Sequence, residues 1–307
     1  MKRVLVTGGA GFIGSHTVDY LLKMGHEVVV IDNLTTGKLS HLDLFNPRLR
    51  FVQGDVLEYA LVKKEIAGCQ SVLHLAALPS VPESIKNPLE TLKINTLGFV
   101  NLLQAVREMP GPVRLVYASS AAVYGCPEQV PASEDHLLSS SLSPYALEKA
   151  NNERYAALFS NLFGIKLLGL RYFNVYGARQ DPLSPYSGVI SKFIDCYRQQ
   201  QPVTFYGDGE QSRDFIHVED VARANVLALQ SDYCGILNIA TGKSQSLKKI
   251  IAYLNELFNV AIPIVYDSPR KGDILQSFAA IEKAEHFLKF RYSTELAEGL
   301  KMLLASS

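Results

Sequence analysis

The sequence carries no surplus of charge: over 307 residues, 30 Lys and Arg are matched by 30 Asp and Glu. A nucleic-acid coat or a polybasic membrane anchor draws on an excess of cations, so neither partner is expected. Cysteine is scarce. Cys69, Cys126, Cys196 and Cys234 lie far apart, form no C-x-x-C and join no histidine at zinc spacing. That points to a reduced chain without a structural metal, in a cytoplasmic setting. No apolar run approaches the roughly 20 residues of a membrane span. The chain opens Met-Lys-Arg and passes straight into Val4-Leu5-Val6, whereas a secretory leader needs a longer apolar region and a cleavage site. Internal repeats and low-complexity linkers are also missing. What is there is an ordinary globular composition, 48% hydrophobic and 20% charged. The length suits one large α/β unit or two modest domains.

Short β-branched runs alternate with helical stretches. Apolar runs occur at 4–6, 28–31, 50–53, 71–75, 113–117 and 166–171, and residues 14–24 place Val18, Leu21 and Leu22 on one helical face. Runs without apolar/polar alternation, separated by helices, read as a parallel sheet covered on both faces. Right-handed crossovers then give a doubly wound α/β sheet. Beyond about residue 172 the texture changes. Pro202, Gly207, Gly209, Pro263, Pro269 and Gly272 break the chain into shorter pieces. The reading is a Rossmann domain over 1–172 and a smaller α/β lobe over 173–307, with some later segments returning to the first domain.

The first run ends in Thr7-Gly8-Gly9-Ala10-Gly11-Phe12-Ile13-Gly14. After a strand and before a helix, Gly8 permits a tight turn and Gly11 lets backbone approach a pyrophosphate. The helix N-terminus meets its charge, and Gly14 allows close helix–strand packing. Asp32 ends the second strand. A carboxylate there accepts from adenosine ribose hydroxyls and repels a 2′-phosphate, which favours NAD over NADP. Capping of the following loop is the other reading of Asp32, and Lys38 nearby leaves NADP open. Gly54-Asp55-Val56 follows the third strand, and His74-Leu75-Ala76-Ala77 follows the fourth with small residues where a cofactor would lie.

Tyr145 and Lys149 stand four apart and share a helix face, with Ser143 as N-cap and Pro144 in the first turn. A tyrosine ionises near pH 10, so a base working near neutrality needs help worth about 4 kcal/mol. A lysine ammonium, a cationic ring and a helix N-terminus all act in that direction. Ala118-Ser119-Ser120-Ala121-Ala122-Val123-Tyr124-Gly125 lies at a strand's C-terminal end, where ligands bind in open α/β sheets. A hydroxyl there can relay a proton to the tyrosine. Ordinary turn chemistry is the alternative for each serine.

Together with Arg171-Tyr172-Phe173-Asn174-Val175-Tyr176-Gly177, these motifs resemble the extended short-chain dehydrogenase/reductase family. Within it the chain is most similar to the nucleotide-sugar 4-epimerases, especially the UDP-N-acetylglucosamine branch. Leu78-Pro79-Ser80-Val81-Pro82-Glu83-Ser84, Arg179-Gln180-Asp181-Pro182, Gly207-Asp208-Gly209 and Arg213-Asp214-Phe215 fall in family order across nearly the whole chain.

The resemblance implies an NAD-dependent isomerase that inverts C4 of a UDP-hexose through a transient 4-keto sugar. Ser120 and Tyr145 would flank the sugar O4 and Lys149 the nicotinamide ribose. Cofactor contacts would comprise Gly8, Gly11, Phe12, Ile13, Gly14, Asp32, Asn33, Asp55, Val56, Ala76, Ala77, Asn95, Ser119, Tyr145, Lys149 and Tyr172. Substrate contacts would comprise Pro79, Ser80, Ser120, Tyr145, Asn174, Gly188, Val189, Val203, Tyr206, Arg213, Arg270, Asp273 and Ser277. Among these, Asn174 would meet the diphosphate region, Arg213 and Arg270 the phosphates, and 203–206 the uracil.

The related 4,6-dehydratases carry an Asp-Glu pair, and the UDP-glucuronate decarboxylases a glutamate, where this chain has Ala121 and Ala122; that favours epimerisation. A serine at 277, in place of the tyrosine of glucose-restricted relatives, implies room for an N-acetyl group. UDP-GlcNAc/UDP-GalNAc would then be turned over, with UDP-Glc/UDP-Gal as a second pair. The N-acetyl-selective branch tends to have serines where Ala121 and Ala122 stand, which leaves strict selectivity and UDP-glucuronate open. A non-catalytic NAD-binding regulator is the alternative of another class, and the presence of Ser120, Tyr145 and Lys149 opposes it. The resemblance also implies a homodimer through the helical segments 88–107 and 145–163. Leu89, Leu92, Leu102, Leu103 and Val106 would supply its apolar surface, or pack on the chain's own sheet.

Overall fold

In the computed structural model, the described residues are 2–127, 129–136, 138, 143–180, 188–269 and 274–305. Six strands follow one another through the first half of the chain: β1 (Arg3–Thr7), β2 (Glu27–Asp32), β3 (Leu49–Gln53), β4 (Ser71–His74), β5 (Arg114–Ser120) and β6 (Leu167–Tyr172). Each coincides with an apolar run of the sequence. Between them run helices α1 (Phe12–Lys23), α2 (Tyr59–Ile66), α3 (Val81–Lys86), α4 (Pro88–Leu92), α5 (Gly98–Arg107) and α6 (Pro144–Phe163). The second half contributes β7 (Asn174–Tyr176), α7 (Val189–Gln199), β8 (Val203–Tyr206), β9 (Ser212–Arg213), β10 (Phe215–His217), α8 (Val218–Gln230) and β11 (Gly235–Ile239). It closes with β12 (Gln245–Ser246), α9 (Leu247–Phe258), β13 (Ile264–Asp267), β14 (Gln276–Ser277), α10 (Glu282–Leu288) and α11 (Leu296–Ala305).

The main sheet has seven strands in the order β11-β6-β5-β4-β1-β2-β3, all parallel. It is the doubly wound, Rossmann-like sheet expected from the apolar runs. Val18, Leu21 and Leu22 of α1 and Val221 and Ala224 of α8 fill one face with Val4, Val6, Val28 and Val30. Val62 and Ile66 of α2 and Phe99, Leu102 and Leu103 of α5 fill the other with Leu5, Val29, Ile31 and Leu115. Parallel strands buried on both sides need apolar residues at every position, which is why no alternation is visible in the sequence. The chain returns to the sheet beyond residue 172: β11 pairs with β6, and α8 packs on α1.

A second core around Phe193, Phe205, Ile250, Leu254 and Leu300 joins α7, α9 and α11 to the β8–β13 pair. Buried Asp214 ties this lobe to the sheet rim by accepting from Thr241 N and Gly242 N, each at 2.8 Å, and from Thr241 Oγ1 at 2.6 Å. No described helix is long and apolar enough to cross a membrane.

Leu102, Leu103 and Val106 are buried against the chain's own sheet, so they supply no outer surface. Leu89 (74% exposed) and Leu92 (46%) do face outward, with Leu97, Leu158 and Leu162.

Candidate active site

The site lies where the strand order reverses, between β1 and β4. Thr7 pairs in register with Ile31 on one side and His74 on the other, so the C-terminal ends of three strands share one rim. Above that rim is a cavity of about 450 Å³. Its described wall includes Gly8, Gly11, Phe12, Ile13, Gly14, Asp32, Asn33, Asp55, Val56, Ala76 and Ala77, all read from the sequence as cofactor contacts.

The glycine loop is built around absent side chains. Gly8 has φ +72°, and a Cβ there would lie 2.7 Å from Ala76 N; one on Gly14 would lie 2.1 Å from Gly8 O. Gly11 is the N-cap of α1, and no described side chain caps that helix. Its first-turn N–H groups and positive dipole end are left for an anion. Asp32 is buried at the end of β2 and accepts from Ala10 N at 3.0 Å and Leu34 N at 2.8 Å. It therefore anchors the following loop as well as facing the cavity. Burial pushes its carboxyl upward, and the bonds from Leu34 and Ala10 oppose that. A cradle that no Cβ can enter, an uncapped helix start and a strand-end carboxylate fit a dinucleotide.

At the other end the cavity meets β5 and the start of α6. Ser143 accepts from Ala146 N at 3.2 Å as N-cap, with Pro144 in the first turn. Tyr145 and Lys149 then project from one face of the helix, with Lys149 Nζ 5.8 Å from the Tyr145 ring centre. Both line the cavity with Ser119, Ser120 and Tyr172. Lys149 donates to Ala118 O at 3.0 Å. Burial pulls its ammonium down to about 8 against the opposing carboxylates of Glu148 and Glu153. Burial pushes the Tyr145 phenol up, and a hydrogen bond with the Ser120 side chain works the other way. Ser119 donates to Glu153 at 2.5 Å, and Arg171 grips the same carboxylate through two bonds of 2.9 and 2.7 Å. His74 Nδ1 lies 2.8 Å from Thr7 Oγ1, and burial, reinforced by the Lys149 charge, drives the imidazole down to about 3. It is neutral at any working pH.

Of the residues read as substrate contacts, Pro79, Ser120, Tyr145, Asn174, Gly188 and Val189 line the cavity. The described wall does not include Asn95, Ser80, Val203, Tyr206, Arg213 or Ser277, for identifiable reasons. Asn95 is committed to Leu78 and Glu148. Ser80 caps α3 by accepting from Glu83 N at 3.1 Å. Val203 is buried in the second core. Tyr206 ends β8, where its carbonyl accepts from Gln211 Nε2. Arg213 donates to Ile274 O at 2.6 Å, and Ser277 lies on β14 beside β9. Arg270, Asp273, Asp181 and Pro182 lie outside the described residues. Thr35, Thr36 and His41 do line the wall and went unread in the sequence, and Arg179 and Gln180, read there only as a motif in family order, line it too. The loop after Asp32 and the segment after β7 were the signals for them.

Residues 4–240 match the model of the NAD dependent epimerase/dehydratase family. A Methanocaldococcus jannaschii protein provisionally named as a UDP-glucose 4-epimerase is 41% identical over 303 residues, 98% of this chain and 97% of its own. Among solved structures, the UDP-N-acetylglucosamine 4-epimerase of Methanobrevibacter ruminantium in complex with UDP-N-acetylmuramic acid superposes with a TM-score of 0.95 at 37% identity, covering 99% of this chain and 97% of that one. The UDP-glucose 4-epimerase of Thermotoga maritima with UDP-glucose gives 0.92 at 34%, covering 99% and 98%. By sequence over most of its length and by fold over nearly all of it, the chain belongs to the NAD dependent epimerase/dehydratase family, in its extended short-chain dehydrogenase/reductase form.

Proposed function

We propose that this chain inverts C4 of a UDP-hexose, with the UDP-GlcNAc/UDP-GalNAc pair as its main substrates and UDP-Glc/UDP-Gal as a second pair. The observation that carries this reading is the joint placement of Ser120, Tyr145 and Lys149 in the wall of a cavity that begins at a glycine cradle. The two residues after Ser120, Ala121 and Ala122, start a 3-10 turn and bring no acid or base. Elimination of water or carbon dioxide needs such a group; a proton taken from O4 and returned to it does not.

In this reading the cradle residues Gly8, Gly11 and Gly14, the start of α1 and Asp32 hold NAD. When bound, it supplies the hydride acceptor and donor for C4. Tyr145 as phenolate takes the O4 proton, directly or through the Ser120 hydroxyl, and gives it back on the opposite face of the ring. Lys149 holds positive charge one helical turn away and thereby favours the phenolate. Ala118 O orients that ammonium. With substrate seated, the apolar side chains of the wall keep water out, so the ketone is not lost. A regulator without turnover would have no use for a buried phenol and ammonium on one helix face.

Room beside the hexose is supported by Gly188, where an added Cβ would meet, among the described residues, nothing nearer than Gln180 Nε2 at 3.5 Å. The likeness to a UDP-N-acetylglucosamine 4-epimerase supports the same choice. A hexuronate would call for a cation beside C6. Among the described wall residues, Lys149 already bonds Ala118 O, Arg179 bonds Asp19 of α1 at 2.8 Å, and Lys38 lies on the loop after β2. The sheet with its returning α8 and β11 would hold the dinucleotide, and the second core would carry the uridine diphosphate side. The outward leucines 89, 92, 97, 158 and 162 support a homodimer through α4–α6. The four cysteines are free thiols, which fits a cytoplasmic setting.

The test is incubation with UDP-GlcNAc, UDP-Glc and UDP-glucuronate in deuterated buffer. UDP-GalNAc should form fastest and carry no solvent deuterium at C4. Deuterium at C4 or failure to convert any of the three would overturn the reading.

A further inference from the structure

Glu148 is a helix-interior glutamate beside Lys149 that faces away from the cavity, yet it is buried at 3% exposure. A buried carboxylate is costly unless its lone pairs are taken. Here Thr91 Oγ1 donates to Oε1 at 2.8 Å and Asn95 Nδ2 donates to Oε2 at 2.7 Å. Thr91 and Asn95 are themselves buried. Asn95 sits in a π-helical turn, Lys93–Leu97, between α4 and α5, a local widening that often marks a functional site. The widened turn offers Asn95 O to Asn152 Nδ2 of α6 at 2.8 Å. The other end of the Asn95 amide embraces Leu78: Oδ1 accepts from Leu78 N at 2.8 Å and Nδ2 donates to Leu78 O at 3.2 Å. Leu78 and Pro79 are cavity wall. A continuous chain of bonds thus runs from the turn of α6 that carries the phenol and ammonium, through Glu148 and Asn95, to the Leu78–Pro79 stretch of the wall. Ser84 Oγ, accepting from Tyr145 N at 3.1 Å, adds a second tie between α6 and the same region.

We propose that Glu148 is a positioning residue. Its carboxylate clamps the first turns of α6 to the Leu78–Pro79 wall, so that Tyr145 and that stretch of wall keep one separation while the sugar presents first one face and then the other. The proposal rests on the epimerase reading above. A carboxylate suits this place because both neighbours donate to it, and bonds to an ionised acceptor are the stronger kind. A glutamine would present its N–H₂ to Thr91, whose hydroxyl must then turn its proton to Pro88 O at 3.2 Å and accept the amide, or to Asn95, whose amide would have to give up its pair of bonds to Leu78; either way two charge-assisted bonds become weaker neutral ones. The carboxylate also acts by charge. The titratable groups around Lys149 are Tyr145, Glu148 and Glu153 on α6 and His74 on β4, with Arg171 of β6 bound to Glu153. Glu148 holds both the Lys149 ammonium and the Tyr145 phenol higher than they would otherwise be.

The experiment compares wild type, Glu148→Gln, Glu148→Gln/Asn95→Asp and Thr91→Val, each as full-length protein. Two readouts are taken: steady-state epimerisation across pH, and hydrogen exchange at the Leu78 amide. Glu148→Gln should lose about tenfold in kcat, equivalent to about 1.4 kcal/mol, with KM changed less. Both limbs of its pH–rate profile should move to lower pH. Leu78 should exchange at least about tenfold faster, since Asn95, held by a neutral bond in place of a charge-assisted one, no longer fixes its N–H firmly. In the double variant the carboxylate introduced at position 95 can accept from the amide introduced at position 148 and still from Leu78 N, so at least about threefold of the lost kcat should return. Wild-type kcat, wild-type exchange at Leu78, or a double variant no better than the single one would each overturn the clamp. Should Glu148→Gln not fold, Thr91→Val decides on the same two readouts: a kcat at least about threefold lower with faster Leu78 exchange supports the proposal, and wild-type values overturn it. If the wild-type protein turns over no UDP-sugar, the epimerase reading fails by itself, while the exchange comparison still judges the clamp.

Discussion

Replacing Lys149 by methionine should abolish turnover and yet make the protein harder to melt. The lysine is 3% exposed, and its ammonium is pulled from 10.5 to about 8, chiefly by burial. Each unit of pKa difference between folded and unfolded chain is worth 1.36 kcal/mol, so carrying that charge at neutral pH costs the fold about 3 kcal/mol. The sign follows from linkage: the unfolded chain holds the proton more tightly, so the cost is complete below pH 8 and fades as pH rises toward 10.5. Methionine fills similar space without a charge and gives up the bond to Ala118 O, a loss of about 1 kcal/mol. The net gain at pH 7 is about 2 kcal/mol, a rise of a few degrees in Tm for a chain of this size. At pH 10 less than about 1 kcal/mol of the cost remains in the wild type, so the gain should vanish. Turnover should fall at least about 100-fold, because the phenol loses the charge that favours its ionised form. Thermal melts of both proteins at pH 7 and pH 10, with parallel epimerase assays, measure all three quantities. A lower Tm for the variant at pH 7, or a gain that does not shrink with pH, would refute the argument that the site holds this ammonium at the expense of the fold.

Tyr145→Phe keeps the buried ring and removes the hydroxyl, so kcat should drop by about 10²–10⁴ with KM within a few-fold; inversion at the native rate would remove the phenol from the mechanism. Gly14→Ala would place a Cβ 2.1 Å from Gly8 O and 2.8 Å from Gly9 Cα, an overpacking of about 1–3 kcal/mol. Calorimetric titration should then show NAD binding at least about tenfold weaker, and unchanged affinity would mean that the loop is not the cradle. Arg171→Met leaves Glu153 charged and buried with Ser119 as its remaining close partner, so denaturant unfolding should report a loss of about 3–5 kcal/mol, whereas Arg171→Met/Glu153→Met should recover much of it.

The parts that sequence reading found are those whose physics is local. Gly8, Gly11 and Gly14 are recognisable because a tight turn, a close approach and a helix start all fall within one short stretch. Tyr145 and Lys149 are recognisable because one helical turn separates them and Ser143-Pro144 marks where the helix begins. The apolar runs that became β1, β2 and β4 to β6 stand out for the same reason: a strand buried on both faces shows every residue to the core. β11 gave a weaker signal. Gly235-Ile236-Leu237-Asn238-Ile239 carries a polar residue near its end, and Asn238 is tolerated there because its side chain donates to Ala132 O at 2.9 Å and accepts from Tyr124 at 2.7 Å. Those partners lie far away in the chain.

The same distinction explains which site residues the cavity leaves out. Resemblance assigns Val203, Arg213 and Ser277 to a pocket, but Val203 is buried in the second core from the four-residue β8, and Arg213 and Ser277 lie on β9 and β14, two-residue strands with no sequence pattern of their own. Asn95 is assigned to the cofactor by the same resemblance. Its amide is spent on Leu78 and Glu148, contacts 17 and 53 positions away. Glu148 itself looks in the sequence like a solvent-facing helix glutamate, one of many that separate apolar positions. Nothing in its neighbours announces that Thr91 and Asn95 will close over it, because the closure depends on α4, the π turn and α6 meeting in three dimensions. Residues that do chemistry are therefore legible from spacing, whereas residues that hold the chemistry in place become legible only when a buried charge is found with its donors.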